Sequence, residues 1–165
     1  MRHEAPRGLV AGCLRVRPRG ARVLVEGTGP RSGSRQCRRD LTLAGCDSSS
    51  AVIGERWRAG GAVLRVTGPR RPCRVFAGFW DVQGLVKRFT EHGRTGGYLA
   101  VEEPGEIAAG DAVEVISRPG HGVQVAEVFA LQMHGRAELA EHVAGGLDDL
   151  PEKWRKSVAA SLQRC

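Results

Sequence analysis

GAVLRVTGPRRPCRVFAGF, residues 61–79, joins an apolar strand to a cysteine set among arginines and followed by two aromatics. Residues 62–67 carry Val63, Leu64 and Val66 and read as an apolar strand. Pro69 and Pro72 fix their own φ and push the residues before them to extended backbone, so the chain leaves the strand in a stiff segment. Arg70, Arg71 and Arg74 surround Cys73 and favour its ionised form, the species that binds metals and attacks electrophiles. The competing reading makes Cys73 a small buried hydrophobe, the usual fate of a free cysteine.

Outward from this segment the chain reads as short strands around one internal helix. Upstream, 51–53 lead through Gly54-Glu55 to Trp57, and Gly60-Gly61 turn the chain into the strand over 62–67. Downstream, Asp81 reads as an N-cap, with Val82, Leu85, Val86 and Phe89 at helical spacing until Gly93 ends the helix. Strands are expected at 98–101 and 112–116, with turns at Pro104-Gly105 and 119–122. A last strand is expected over 123–131. IGERWRAGGAVLRV and AGDAVEVISRPGHGVQV echo each other, each placing a Gly-acid turn before paired strands. Beyond this point the chain becomes helical. A short helix over 135–145 carries Leu139 and Val143. A second, capped by Asp149 with Pro151 in its first turn, carries Trp154, Val158 and Leu162 on one face. That face is expected to pack on the strands.

Length and composition bound the function classes. At 165 residues and 41% hydrophobic, the chain can bury a real core as one globular domain, with or without a tail. It contains no apolar run long enough to span a membrane, and its N-terminal stretch lacks a signal-peptide core. Five cysteines without a CxxC pair fit neither a disulfide framework nor a zinc site, and point to a reducing, cytoplasmic location. The net charge of +7 invites a nucleic-acid partner, yet it is all in residues 1–40, where ten arginines face three acidic residues. Residues 41–165 are balanced. The arm has no aromatic side chain on which a base could stack, so nucleic acid is an unlikely partner.

IGERWRAGGAVLRVTGPRRPCRVFAGF, then LVKRFTEHGRTGGYLAV, then EPGEIAAGDAVEVISRPGHGVQVAEVFAL together resemble the C-terminal two thirds of a MOSC domain, the family named for the C-terminal domain of molybdenum cofactor sulfurases. The similarity is to the free-standing bacterial members. Its most specific element is the PRxPC cysteine followed by a K-R-F helix and a G-x-x-G-x-Y strand. The resemblance implies a mainly-β fold: a small β-barrel of the MOSC, pyruvate-kinase-like type, with an internal helix and two C-terminal helices. The barrel would occupy 41–133 and the helical extension 134–165.

The resemblance also implies a pyranopterin molybdenum cofactor, with Cys73 as metal ligand and catalytic residue or, as in the sulfurases, as a sulfur carrier. Arg70, Lys87, Arg88 and Arg94 become the candidates for holding the cofactor phosphate, and Phe76, Phe79 and Trp80 for walling the pterin. Residues 1–40 depart from the family. His3 is followed by Glu4-Ala5-Pro6 where an HxGGxxKA-type motif is usual, and 37–42 read CRRDLT at an FGENL-type strand entry. Read one nucleotide out of frame with permissible codons, 14–29 give an aromatic-rich string resembling the helix the family has there. The arm is thus a divergent segment or a frame-shift product.

Two activities follow from the resemblance. One is an oxidoreductase that reduces N-hydroxylated compounds at a Cys-ligated molybdenum, taking electrons from a separate reductase. The other is a carrier of sulfur or cofactor, with Cys73 as the persulfide site and a pyridoxal-phosphate cysteine desulfurase as partner. Substrate, electron donor and oligomeric state are left open.

Overall fold

The computed structural model describes residues 21–24, 41–74, 77–78 and 81–163. Within them, six strands form one antiparallel sheet in the order β2-β1-β6-β3-β4-β5. The strands are β1 (Ala21–Leu24), β2 (Thr42–Ala44), β3 (Arg56–Ala59), β4 (Ala62–Pro69), β5 (Gly97–Glu103) and β6 (Ala112–Ser117). A mainly-β architecture is therefore present. Phe76, Phe79, Trp80 and nearly all of the Arg-rich arm lie outside the described residues.

The β3–β4 hairpin is the centre of the sheet. Gly60 takes φ 54°, a left-handed conformation that glycine adopts without a Cβ penalty, and Ala59 pairs with Ala62 across the turn. β4 is buried along its length except at Arg65, which explains the weak alternation of its sequence. One cluster packs Leu64 with Ala59 and Ala62, and a larger one packs Val66, Trp57 and Ile53 against the helices. Glu55, only 1% exposed, closes the turn before β3. Its carboxylate accepts the Val52 N–H at 2.8 Å and an Arg118 N–H at 3.0 Å.

Four α-helices are defined among the described residues: α1 (Leu85–His92), α2 (Val125–Met133), α3 (Ala140–Ala144) and α4 (Glu152–Leu162). α1 begins later than expected. Asp81 is not its cap but sits at φ 49°, and Gly84 precedes the first turn; Leu85 and Phe89 supply the buried stripe and Gly93 ends the helix as anticipated. The larger correction concerns 123–131, which is not a strand. A single bridge, Val52 to Gln124, uses up the Val123/Val125 alternation, and the chain then turns into α2. Gln124 and Glu127 form a reciprocal capping box, with the Gln124 N–H donating to the Glu127 carboxylate at 2.7 Å. Val125, Val128, Phe129 and Leu131 are all buried, so α2 has no polar face to reveal a helical period. The second half of the internal echo is accordingly one strand and a helix.

The expected helix over 135–145 is two pieces, a 3-10 turn at Ala137–Leu139 and α3. Asp149 does not cap α4, which starts after Pro151. It lies in a 3-10 turn, Leu147–Asp149, where its carboxylate receives His121 Nε2 at 3.1 Å and its carbonyl receives Arg65 at 3.1 Å. The Trp154, Val158 and Leu162 stripe packs on the main core cluster, as its spacing predicted.

Candidate functional site

The site is built where β4 ends. Pro69 pairs with Gly97, and the Arg70 N–H donates to the Gly96 carbonyl at 3.0 Å, so the strand pairing extends one residue into the Pro-Arg segment. Trp154 of α4 lies against the same strand end: a Cβ on Gly68 would stand 3.0 Å from its Nε1. Arg71 then reaches sideways. Its guanidinium donates to Gln132 Oε1 of α2 and to Ser157 Oγ of α4 (3.0 Å), and stacks 4.3 Å from the Trp154 ring centroid. Desolvation on that surface lowers the Arg71 pKa.

Cys73 emerges two residues later with its side chain exposed, and its carbonyl accepts the Ala77 N–H at 3.0 Å. The buried-hydrophobe reading of this residue is thereby set aside. Cys46 fits that description instead. It is 3% exposed, and burial, followed by the charges of Glu55 and Asp47, pushes its thiol up to about 11. Of the two described thiols, one is locked in the neutral form inside the core and one is presented at the surface.

The four proposed cations fall on three segments. Arg70 is half-buried at the end of β4, and Arg94 lies on the segment that returns to pair with it through Gly96. Arg94 also lines a cleft of about 300 Å³ with Asp47, Ser49, His92, Phe129 and His134. His134 is held there by a 2.8 Å contact from Nε2 to the Thr90 carbonyl and by an edge-on Phe129 ring. Lys87 and Arg88 are exposed on α1, with Lys87 3.8 Å from Glu91 one turn on. The strand end thus brings Cys73, Arg70 and Arg94 onto adjacent segments, while Lys87 and Arg88 belong to the helix that leads into Arg94.

Sequence reasoning did not find Gln132, Ser157, His92 or His134. Gln132 and Ser157 meet Arg71 across 61 and 86 residues of chain, a separation with no local signature. Among the described residues no three His, Cys, Asp or Glu side chains cluster as a metal site, and no helix is long and apolar enough to cross a membrane.

The comparisons with known proteins agree with this geometry. The MOSC domain family model matches residues 23–114, beginning inside the Arg-rich arm. The chain is 32% identical over 127 residues to the uncharacterized protein YflK of Bacillus subtilis, covering 76% of this chain and 57% of that one. It is 28% identical over 95 residues to the protein YiiM of Escherichia coli, covering 58% and 42%. The chain therefore spans roughly half the length of these curated relatives. Among solved structures, YiiM from Geobacillus stearothermophilus superposes with a TM-score of 0.68 at 26% identity, over 74% of this chain and 64% of that chain. YiiM from Escherichia coli gives 0.64 at 23% identity, over 75% and 62%, a likeness of fold. On the strength of a family match over more than half of its length, the chain belongs to the MOSC domain family.

Proposed function

We propose that this protein binds the molybdenum cofactor and reduces N-hydroxylated compounds by oxygen-atom transfer, with Cys73 as the metal ligand. The observation that carries this reading is the exposed Cys73 thiol at the end of β4, in the PRxPC segment. Its chemistry fits the group. A metal already held by the sulfur atoms of its own pterin needs one further soft donor rather than a cage of protein ligands, and a lone thiolate is such a donor. The bound cofactor supplies two-electron oxygen-atom chemistry.

The chain's own residues hold and orient. Cys73 provides the thiolate from a segment stiffened by Pro69 and Pro72. Arg70 and Arg94, with Lys87 and Arg88 beyond them, neutralise the cofactor phosphate. For a hydroxylamine substrate, the N–O bond breaks, two electrons and two protons are taken up, and amine and water leave. The electrons come from a separate reductase. The sheet is read as the wall of a small β-barrel over 41–133, with 134–165 as a helical extension, in a cytoplasmic protein.

The same exposed thiol supports a second reading, in which Cys73 carries a persulfide received from a pyridoxal-phosphate cysteine desulfurase. Metal analysis of the purified protein, paired with reduction of an N-hydroxylated base by an added electron donor, separates the two. Molybdenum and turnover in the native chain, both lost in Cys73→Ser, are expected. A Cys73 persulfide without molybdenum would overturn the enzyme reading in favour of the carrier.

A further inference from the structure

We infer that Arg71 is a positioning residue for Cys73: it clamps the thiol-bearing segment to α2 and α4 through one guanidinium nitrogen and the planar face it lays on Trp154. This rests on Cys73 being the working thiol. Arg71 donates through Nη2 to both Gln132 Oε1 and Ser157 Oγ, and lays the guanidinium over Trp154. The residue between Arg71 and Cys73 is Pro72, whose ring fixes φ, so holding Arg71 limits the paths open to the next residue. Gln132 supports the assignment independently. Its Nε2 is buried without a hydrogen-bond partner, an unfavourable state retained while its oxygen serves Arg71. From sequence, Arg71 is a charge beside the thiol. In the structure Nη2 serves both acceptors while the planar guanidinium lies on Trp154, a stack that a lysine of equal charge cannot reproduce.

That difference supplies the test. Arg71→Lys keeps the charge and loses the planar face; Arg71→Met loses both. Hydrogen exchange by NMR on the intact chain, without cofactor, reports the amides of Arg70 and Ala77, bonded to the Gly96 and Cys73 carbonyls. Both variants are expected to speed exchange at these two amides about tenfold, a change of ~1.4 kcal/mol, while the Val66 amide, bonded to the Glu55 carbonyl, is unchanged. The rate of Cys73 alkylation at a single pH, followed on its own peptide, is expected to change alike in both. Ser157→Ala, which removes one acceptor from the surface of α4, is expected to give a smaller change at the same amides, and keeps the test available if either Arg71 variant fails to fold. Wild-type exchange and alkylation in Arg71→Lys alone would make Arg71 a charge rather than a clamp. Equal acceleration at Val66 would reduce it to a contributor to global stability, and no change in any variant would end the proposal. None of these results depends on whether molybdenum binds Cys73.

Discussion

Cys46 makes the stability of the folded chain depend on pH in the alkaline range. Its thiol is raised from 9.0 to about 11 by burial first, then by Glu55 and Asp47. In the unfolded chain it ionises near its ordinary value; in the folded chain it stays neutral for a further stretch of pH. Between about 9 and 11 the unfolded state thus holds fewer protons than the folded state, and stability falls as pH rises. Each tenfold difference in proton affinity is worth ~1.4 kcal/mol, so the full contribution is about 3 kcal/mol, present below pH 9 and gone above 11. At pH 10.5 the loss is about 2 kcal/mol relative to pH 8. Urea unfolding of the native chain and of Cys46→Ala at these two pH values, in reductant, measures it. The native chain should lose about 2 kcal/mol more than the variant on moving to the higher pH. Parallel losses in the two proteins would refute the burial argument. The same shift leaves about 0.1% of Cys46 as thiolate at pH 8, so alkylation in the native state should mark Cys73 and spare Cys46.

Gly54 sits at φ 83° with a notional Cβ 2.6 Å from Asp149 Cγ, so Gly54→Ala combines left-handed strain with a clash. A loss of roughly 2–4 kcal/mol is expected in urea unfolding, and a loss under 1 kcal/mol would show that the Asp149 turn yields easily. Glu55→Gln keeps an acceptor for the Val52 N–H and gives up only a pair with the half-exposed Arg118, for a cost within about 1 kcal/mol. Glu55→Ala leaves that buried N–H unpaired and should cost about 2–4 kcal/mol in the same measurement. The first 120 bases of the coding sequence decide the nature of the arm. A frame-shift product predicts an open shifted frame encoding an HxGGxxK motif, and stop codons there would establish a divergent segment.

The parts of the fold that sequence revealed are those whose neighbours in chain are also neighbours in space. The hairpin turn at Gly60-Gly61, the Leu85/Phe89 stripe ended by Gly93, and the Trp154 face each carry a local period or a turn residue. α2 was hidden because its sequence is apolar almost throughout, a composition that short buried strands share, and the clue lay in the Gln124–Glu127 pair rather than in any period. For the site, the PRxPC segment marked Cys73, but its exposure was decided by contacts beyond the segment. The part of Arg71 was not legible at all, since arginines beside a cysteine look alike whether they face the thiol or a distant helix. Cys46, beside Asp47 and with no arginine next to it, already differs from Cys73 in its flanking residues; the rest of its silence comes first from burial in the core and then from Glu55, nine positions on.

The contact between Arg71 and Ser157 spans 86 residues, and this has a consequence during synthesis. At roughly 5–20 residues per second, the thiol segment leaves the ribosome several seconds or more before α4 exists to receive it. In that interval β4 can pair within its hairpin, but the arginine behind the cysteine has neither the indole nor the hydroxyl that later hold it. The nascent chain therefore carries Cys73 on an unfastened segment until α4, whose Ser157 is made 86 residues after Arg71, fastens it.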